Sequence, residues 1–160
     1  MTSRPAGSPS ALQRGLRLIE RRPRTENELR TRLLRHHDPP DAERAIERLR
    51  QLGYLDDAVW ARQYLERPRA ETRGRPLLRA ELRRHGVPEE LAAEAIAAHD
   101  DESAAAAAAR EALRRLERSN RQLDARSRAL RLAGYLRRRG FDPGTAWRAI
   151  ERVSAPSERA

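Results

Sequence analysis

Four histidines, two acidic clusters and a chain-wide excess of arginine are the parts of this sequence able to do chemistry. The histidines are His36, His37, His85 and His99. Two adjacent residues on a helix cannot face one site, and no His-x3-His pair exists to build a zinc-binding face. The clusters Asp56–Asp57 and Asp100–Asp101–Glu102 offer paired carboxylates for acid–base work. Both fall where helices are expected to begin, and attraction to the positive end of the helix dipole accounts for them. The chain holds no Gly-x4-Gly-Lys phosphate loop and no Gly-x-Ser-x-Gly nucleophile elbow. With no cysteine, disulfides and thiolate metal sites are excluded, and a reducing compartment is the natural fit. The expectation is a protein that is not an enzyme and uses no metal or cofactor.

The arginines remain. All 34 basic residues are Arg, against 24 acidic ones, and the net charge is +10. A balance of that sign suits a polyanionic partner. Codon bias in a GC-rich genome explains the exclusion of Lys, so the sign of the charge carries more information than the residue type. Arg75, Arg79 and Arg83 recur every four residues and form a stripe on one helix face, continued by Arg84. Arg67, Arg69 and Arg73 lie just upstream, and Arg137, Arg138 and Arg139 form a second patch. Two readings of these residues stand open. One is a solvated face with ordinary ion pairs to neighbours such as Glu71 and Glu81. The other is a strip that contacts phosphates or an acidic protein surface.

The elements that must position these residues repeat. Leu78, Leu82, the basic run Arg83–Arg84–His85, Gly86 and Ile96 recur 54 residues later as Leu132, Leu136, Arg137–Arg139, Gly140 and Ile150. A first copy reads Leu29, Leu33, Arg35, His37 and Ile46, with its connection one residue shorter. Spacings in this range mark stacked units that cannot bury their apolar faces alone. Only three Val, four Ile, five Thr and six aromatic residues are present, while Leu, Ala, Arg and Glu dominate. Strands have little to be made from, and the chain reads as all-α. Its caps delimit nine helices at about 10–21, 25–36, 41–53, 57–67, 76–85, 88–98, 100–118, 123–139 and 143–152. Pro39–Pro40 read as a connection, Thr25 and Glu28 as a capping box, and 68–74 as a polar linker. The six alanines 104–109 favour helix but specify little packing.

The predicted architecture is a tandem array of three three-helix repeats, elongated and curved, spanning 10–53, 56–98 and 100–153. A disordered tail is expected at 1–9 and a frayed one at 154–160. The longest apolar stretch is far short of a membrane span, and residues 1–9 lack a signal-peptide core, so a cytoplasmic protein is expected. No heptad seam points to self-association, so a monomer is expected.

Between the first two copies lies Gly53-Tyr54-Leu55-Asp56-Asp57, followed by Trp60, Ala61 and Tyr64. Its structural reading is a left-handed glycine, a leucine packed under the turn and an aspartate cap. Trp60 and Tyr64, one turn apart, then join the core. Taken with the repeat, the segment resembles the RecX family of recombinase regulators. The match consists of Gly-Tyr-Leu-Asp-Asp, the Trp60-Ala61 pair, basic residues leading to Gly74, and a Leu-x3-Leu helix ending in Arg83-Arg84-His85-Gly86-Val87. Glu26-x-Glu28-Leu29-x3-Leu33 and Leu136-x3-Gly140-Phe141 match in kind and order, so the likeness covers roughly residues 11–152. His85 and Arg139 stand before glycines where the family often has Lys, and Trp60 stands where Phe is usual.

The resemblance implies a modulator of the RecA recombinase that lies in the groove of the RecA–DNA filament and restrains ATP hydrolysis, strand exchange and filament growth. The setting it implies is homologous recombination, DNA repair and the SOS response. RecA would be the main partner and DNA a secondary one, met by the Arg67–Arg84 region and Arg137–Arg139. Tyr54, Asp56 and Asp57 would set the angle between the first two repeats. The alternative is a general DNA- or RNA-binding helical protein that acts without RecA. A scaffold for an unrelated acidic protein ranks last.

Overall fold

The structure is a computed structural model of the chain and describes residues 9–119 and 123–155. It consists of α1 (Ala11–Arg21), α2 (Glu26–Leu33), α3 (Pro39–Gln51), α4 (Asp57–Leu65), a 3-10 turn (Ala70–Thr72), α5 (Arg75–Arg84), α6 (Glu89–Ile96), α7 (Asp101–Arg118), α8 (Ala125–Arg138) and α9 (Pro143–Ser154). The chain is all-α, with no strand among the described residues. The tails expected at 1–9 and 154–160 lie outside the described residues, except Pro9, Ser154 and Ala155.

The repeat is a packing pattern. Its six leucines, Leu29, Leu33, Leu78, Leu82, Leu132 and Leu136, are fully buried, and Ile46, Ile96 and Ile150 nearly so. Each leucine pair is four residues apart, so both side chains leave one helix face and anchor it. In the second and third copies, a glycine ends the leucine helix with positive φ, 81° at Gly86 and 88° at Gly140. The amide of Val87 then reaches back to the Leu82 carbonyl, and that of Phe141 to the Leu136 carbonyl. The amides of Gly86 and Gly140 bond to the carbonyls of Arg83 and Arg137. These are Schellman closures, which satisfy the last helical carbonyls and drop an apolar residue onto the core. Val87 and Phe141 are accordingly buried.

Two local expectations need correction. Pro39–Pro40 are not a connection but the first turn of α3, capped by Asp38, whose carboxylate accepts the Asp41 amide at 2.9 Å. Proline is tolerated there because the first amides of a helix have no intrahelical acceptor. Thr25 does accept the Glu28 amide (3.2 Å), but the Glu28 carboxylate meets His85 Nδ1 at 2.7 Å. The reciprocal capping box stands instead at Ser10 and Gln13.

The chain divides into two compact units, Met1–Arg62 with Leu82–Ala92, and Gln63–Glu81 with Ala93–Ala160. In the first, α1 packs on α3 and α2 around Leu29, Leu33, Ile46 and Leu49. In the second, α7 lies along α9 and α8 over Leu132, Leu136, Phe141 and Ile150. The alanine run specifies more than its composition suggests, since Ala104, Ala105, Ala108 and Ala109 are all core residues that let α7 approach closely.

Each unit contains the same joint. In the first, the end of α5 meets the start of α2. The Thr25 hydroxyl donates to the His85 carbonyl (2.6 Å), and the Asp57 carboxylate, at the start of α4, accepts the Glu26 amide (2.9 Å). In the second, the end of α8 meets the start of α5. The Gly74 amide donates to the Arg139 carbonyl (2.8 Å), and the Asp101 carboxylate, at the start of α7, accepts the Arg75 amide (3.0 Å). Thr25 and Gly74 each precede their leucine pair by four residues, and His85 and Arg139 each follow theirs by three. An acidic residue thus caps the neighbouring helix in both joints, offsetting otherwise unpaired amides.

Candidate anion-binding cleft

The second unit's joint gathers arginines that the sequence places far apart. A Cβ added at Gly74 would fall 2.4 Å from the Gly140 carbonyl oxygen, and one at Gly140 would fall 2.6 Å from Leu77 Cβ. Only glycine allows the two backbones to approach this closely. The approach brings the 68–74 segment against the end of α8. That segment is not a loose linker, since it folds into the 3-10 turn and buries Ala70, Arg73 and Gly74.

Arg69, Thr72, Arg73, Arg138 and Arg139 line a cleft of about 570 Å³, with Pro68, Leu77, Glu81 and Glu111 completing it. The four arginines do different work. Arg73 is only 6 % exposed and ion-pairs with Glu81, which also accepts the Tyr64 hydroxyl at 2.9 Å. Among the described residues the buried Arg73 Nε finds no hydrogen-bond partner, so the pair is held by the Glu81 contact, and removing either partner would strand a buried charge. His99 Nε2 lies 2.7 Å from the Arg73 carbonyl; a carbonyl only accepts, so this nitrogen carries the proton. Arg139 donates to the Thr72 hydroxyl (3.2 Å) and the Tyr135 hydroxyl (2.7 Å), and its guanidinium stacks 4.9 Å from the Tyr135 ring. Its partners are neutral, so its charge stays uncompensated. Arg69 and Arg138 are exposed and have no carboxylate partner among the described residues. Of the two glutamates, Glu81 is taken by Arg73 and Glu111 by Arg115. Three cations are thus left facing one cleft, an arrangement suited to charge-assisted, bidentate hydrogen bonds with phosphate or carboxylate oxygens.

The other candidate residues lie elsewhere. The Arg75 guanidinium is turned onto the end of α6, donating to the carbonyls of His99 (2.7 Å) and Ala97 (3.1 Å). That is a C-terminal cap, so it is not a free surface cation. Arg79, Arg83, Arg84 and Arg137 are exposed, and Arg67 stacks 5.1 Å from the Tyr64 ring. Gly53 has φ 77°, Leu55 is buried, and Asp56 accepts the Val59 amide at 2.9 Å, while Tyr54 is exposed. Trp60 is buried beside the His85 ring. Burial pushes the Asp57 carboxyl above its usual range.

Several residues that build the cleft carry no sequence signal as site residues. Glu81 reads as a solvated neighbour of the arginine stripe, yet it is the buried counter-ion of Arg73. Thr72 and Tyr135 orient Arg139 from positions 67 and 4 residues away. Among the described residues, no group of three or more His, Cys, Asp or Glu could hold a metal, and no helix is long and apolar enough to cross a membrane.

Comparison with known proteins identifies the family and the fold. Residues 11–49 match the family model described as RecX, first three-helix domain. The regulatory protein RecX of Thermobifida fusca is 36% identical over 142 residues, covering 84% of this chain and 74% of the relative. That of Thermus thermophilus is 37% identical over 144 residues, covering 88% and 92%. A crystal structure of regulatory protein RecX superposes with a TM-score of 0.75 at 24% identity, over 89% of this chain and 70% of that one. The RecX structure from Lactobacillus salivarius gives 0.74 at 17% identity, over 91% and 96%. The two structures share the fold, and the sequence relatives carry the assignment: this chain belongs to the RecX family of regulatory proteins.

Proposed function

We propose that the chain is a cytoplasmic, non-enzymatic regulator of the RecA recombinase, binding the RecA–DNA filament as a monomer. Bound there, it inhibits ATP hydrolysis, strand exchange and filament growth during recombination and repair. The observation that carries this reading is the cleft of Arg69, Arg138 and Arg139, whose charges have no carboxylate partner among the described residues. Phosphates of filament-bound DNA, or acidic side chains of RecA, complement it. Arg79, Arg83, Arg84 and Arg137 add exposed positive charge, while Arg73 and Arg75 hold the scaffold. The three-helix repeats 10–53, 56–98 and 100–153 offer several surfaces to one filament, and linked contacts raise affinity without any single strong one.

The test is co-sedimentation of the chain with single-stranded DNA, with and without RecA and ATP, across a salt series. Binding that requires RecA and survives moderate salt supports the reading. Binding to naked DNA of equal strength, falling steeply with salt, replaces it with a general nucleic-acid binder.

A further inference from the structure

A second concave surface, between α7 and α8, has a different chemistry from the arginine cleft. It has a volume of about 380 Å³, at the small end of ordinary ligand cavities. Ala112 and Leu116 of α7 line it together with Leu130, Leu132 and Tyr135 of α8. Gly134 is also in its wall and puts no side chain into it. A Cβ there would meet only the Arg138 guanidinium, at 3.6 Å. Leu130, 58 % exposed, is the most exposed large apolar side chain among the described residues.

The charged residues lining this hollow are all arginines: Arg115, Arg131 and Arg138. Arg115 pairs with Glu111, whereas Arg131 and Arg138 have no carboxylate partner among the described residues. Arg138 also lines the anion-binding cleft, so the two surfaces adjoin. We infer that the α7–α8 groove docks a short acidic segment of a partner protein, one large aliphatic or aromatic side chain filling the hollow and flanking Asp or Glu residues pairing with Arg131 and Arg138. Apolar anchoring with charge complementarity around it is the usual division of labour in peptide grooves.

Two other occupants fit poorly. Single-stranded nucleic acid would want an aromatic platform for its bases, but the Tyr135 ring carries the Arg139 guanidinium and the other apolar residues of the lining are aliphatic. A second copy of this chain would bring like charge to the groove, since the net charge is +10.

The inference does not depend on RecA being the partner, and its test contains no RecA. A random 12-residue peptide library is displayed on phage and selected against the full-length protein. The enriched peptides are then synthesised, and their affinities measured by fluorescence anisotropy. Leu130→Glu reverses the complementarity at an exposed site, and Gly134→Leu fills the hollow while raising helix propensity, so neither is expected to unfold the chain. Circular dichroism verifies this, and Arg17→Ala, an exposed position on α1, serves as a control outside both the groove and the arginine cleft. The expected result is a consensus of one bulky apolar residue flanked by Asp or Glu, with affinity falling at least tenfold in both groove variants and unchanged in Arg17→Ala. Failure to enrich peptides, a basic or uncharged consensus, or equal binding to Gly134→Leu would overturn it. So would an oligo-dT that binds the wild type but not Gly134→Leu, which would assign the groove to nucleic acid.

Discussion

The amide of Gly74 donates to the carbonyl of Arg139 at 2.8 Å, and this one bond fixes where the arginine cleft forms. It ties the segment carrying Arg69 and Arg73 to the helix end carrying Arg138 and Arg139, residues more than 60 positions apart. Gly74→Ala would push a methyl to 2.4 Å from the Gly140 carbonyl oxygen, which cannot retreat without breaking the joint. The expected destabilisation is about 1–3 kcal/mol, read as a lower urea midpoint at unchanged slope. Gly134→Ala, in open space within α8, should raise stability by up to ~1 kcal/mol.

Arg73→Leu removes one half of a buried ion pair and leaves the Glu81 carboxylate against the Tyr64 hydroxyl alone. A loss of roughly 3–5 kcal/mol is expected. Any loss of regulatory activity in this variant should track its loss of folded protein in a thermal melt, because Arg73 acts through the scaffold.

Arg75→Ala should lower stability by about 1 kcal/mol, since its guanidinium closes the carbonyls of Ala97 and His99. Arg83→Ala/Arg84→Ala should stay within about ±0.5 kcal/mol, as ordinary exposed positions do. Equal melting curves for the two variants would show that the Arg75 cap contributes nothing.

How much of this was legible beforehand varies with range. The buried leucine pairs, the Gly86 and Gly140 stops and the Asp56 cap were readable because each is settled within a turn or two of helix. That Arg69, Arg138 and Arg139 share one cleft is not readable, because about 70 positions of sequence separate the two patches. Nothing local says that Gly74 meets Gly140. The same holds for Glu81, whose neighbours on α5 suggest a solvated residue until Arg73 arrives from the preceding turn. Arg75 misled in the opposite way. Its spacing fits a stripe, but its backbone neighbour Asp101 and the end of α6 claim it.

Asp57 gives the chain a pH signature. Burial raises its folded pKa above the usual 3.8, so the folded state holds a proton more tightly than the unfolded one. Stability from this group is full at low pH and falls as pH rises from about 4 through the raised folded value. Glu26 acts oppositely, because its hydrogen bond with Arg50 holds its carboxyl below the usual range; its contribution is present above about pH 4.5 and lost as pH falls through the folded value. Asp57→Asn keeps an oxygen for the Glu26 amide but removes the buried charge. The stability of Asp57→Asn relative to wild type should therefore increase from pH 4 to pH 7 in denaturant titrations. A difference that is flat or declines with pH would contradict the burial argument.

The most direct test of the regulatory account is RecA's single-stranded-DNA-dependent ATP hydrolysis with substoichiometric amounts of this chain, wild type beside Arg69→Ala/Arg138→Ala. Both positions are exposed, so the double variant should fold normally, with stability changed by no more than ~1 kcal/mol. The account predicts strong inhibition by the wild type at far fewer than one molecule per RecA, and at least a tenfold higher concentration requirement for the variant. Absence of inhibition, inhibition only when the protein is abundant enough to coat the DNA, or equal potency of the two proteins would contradict it.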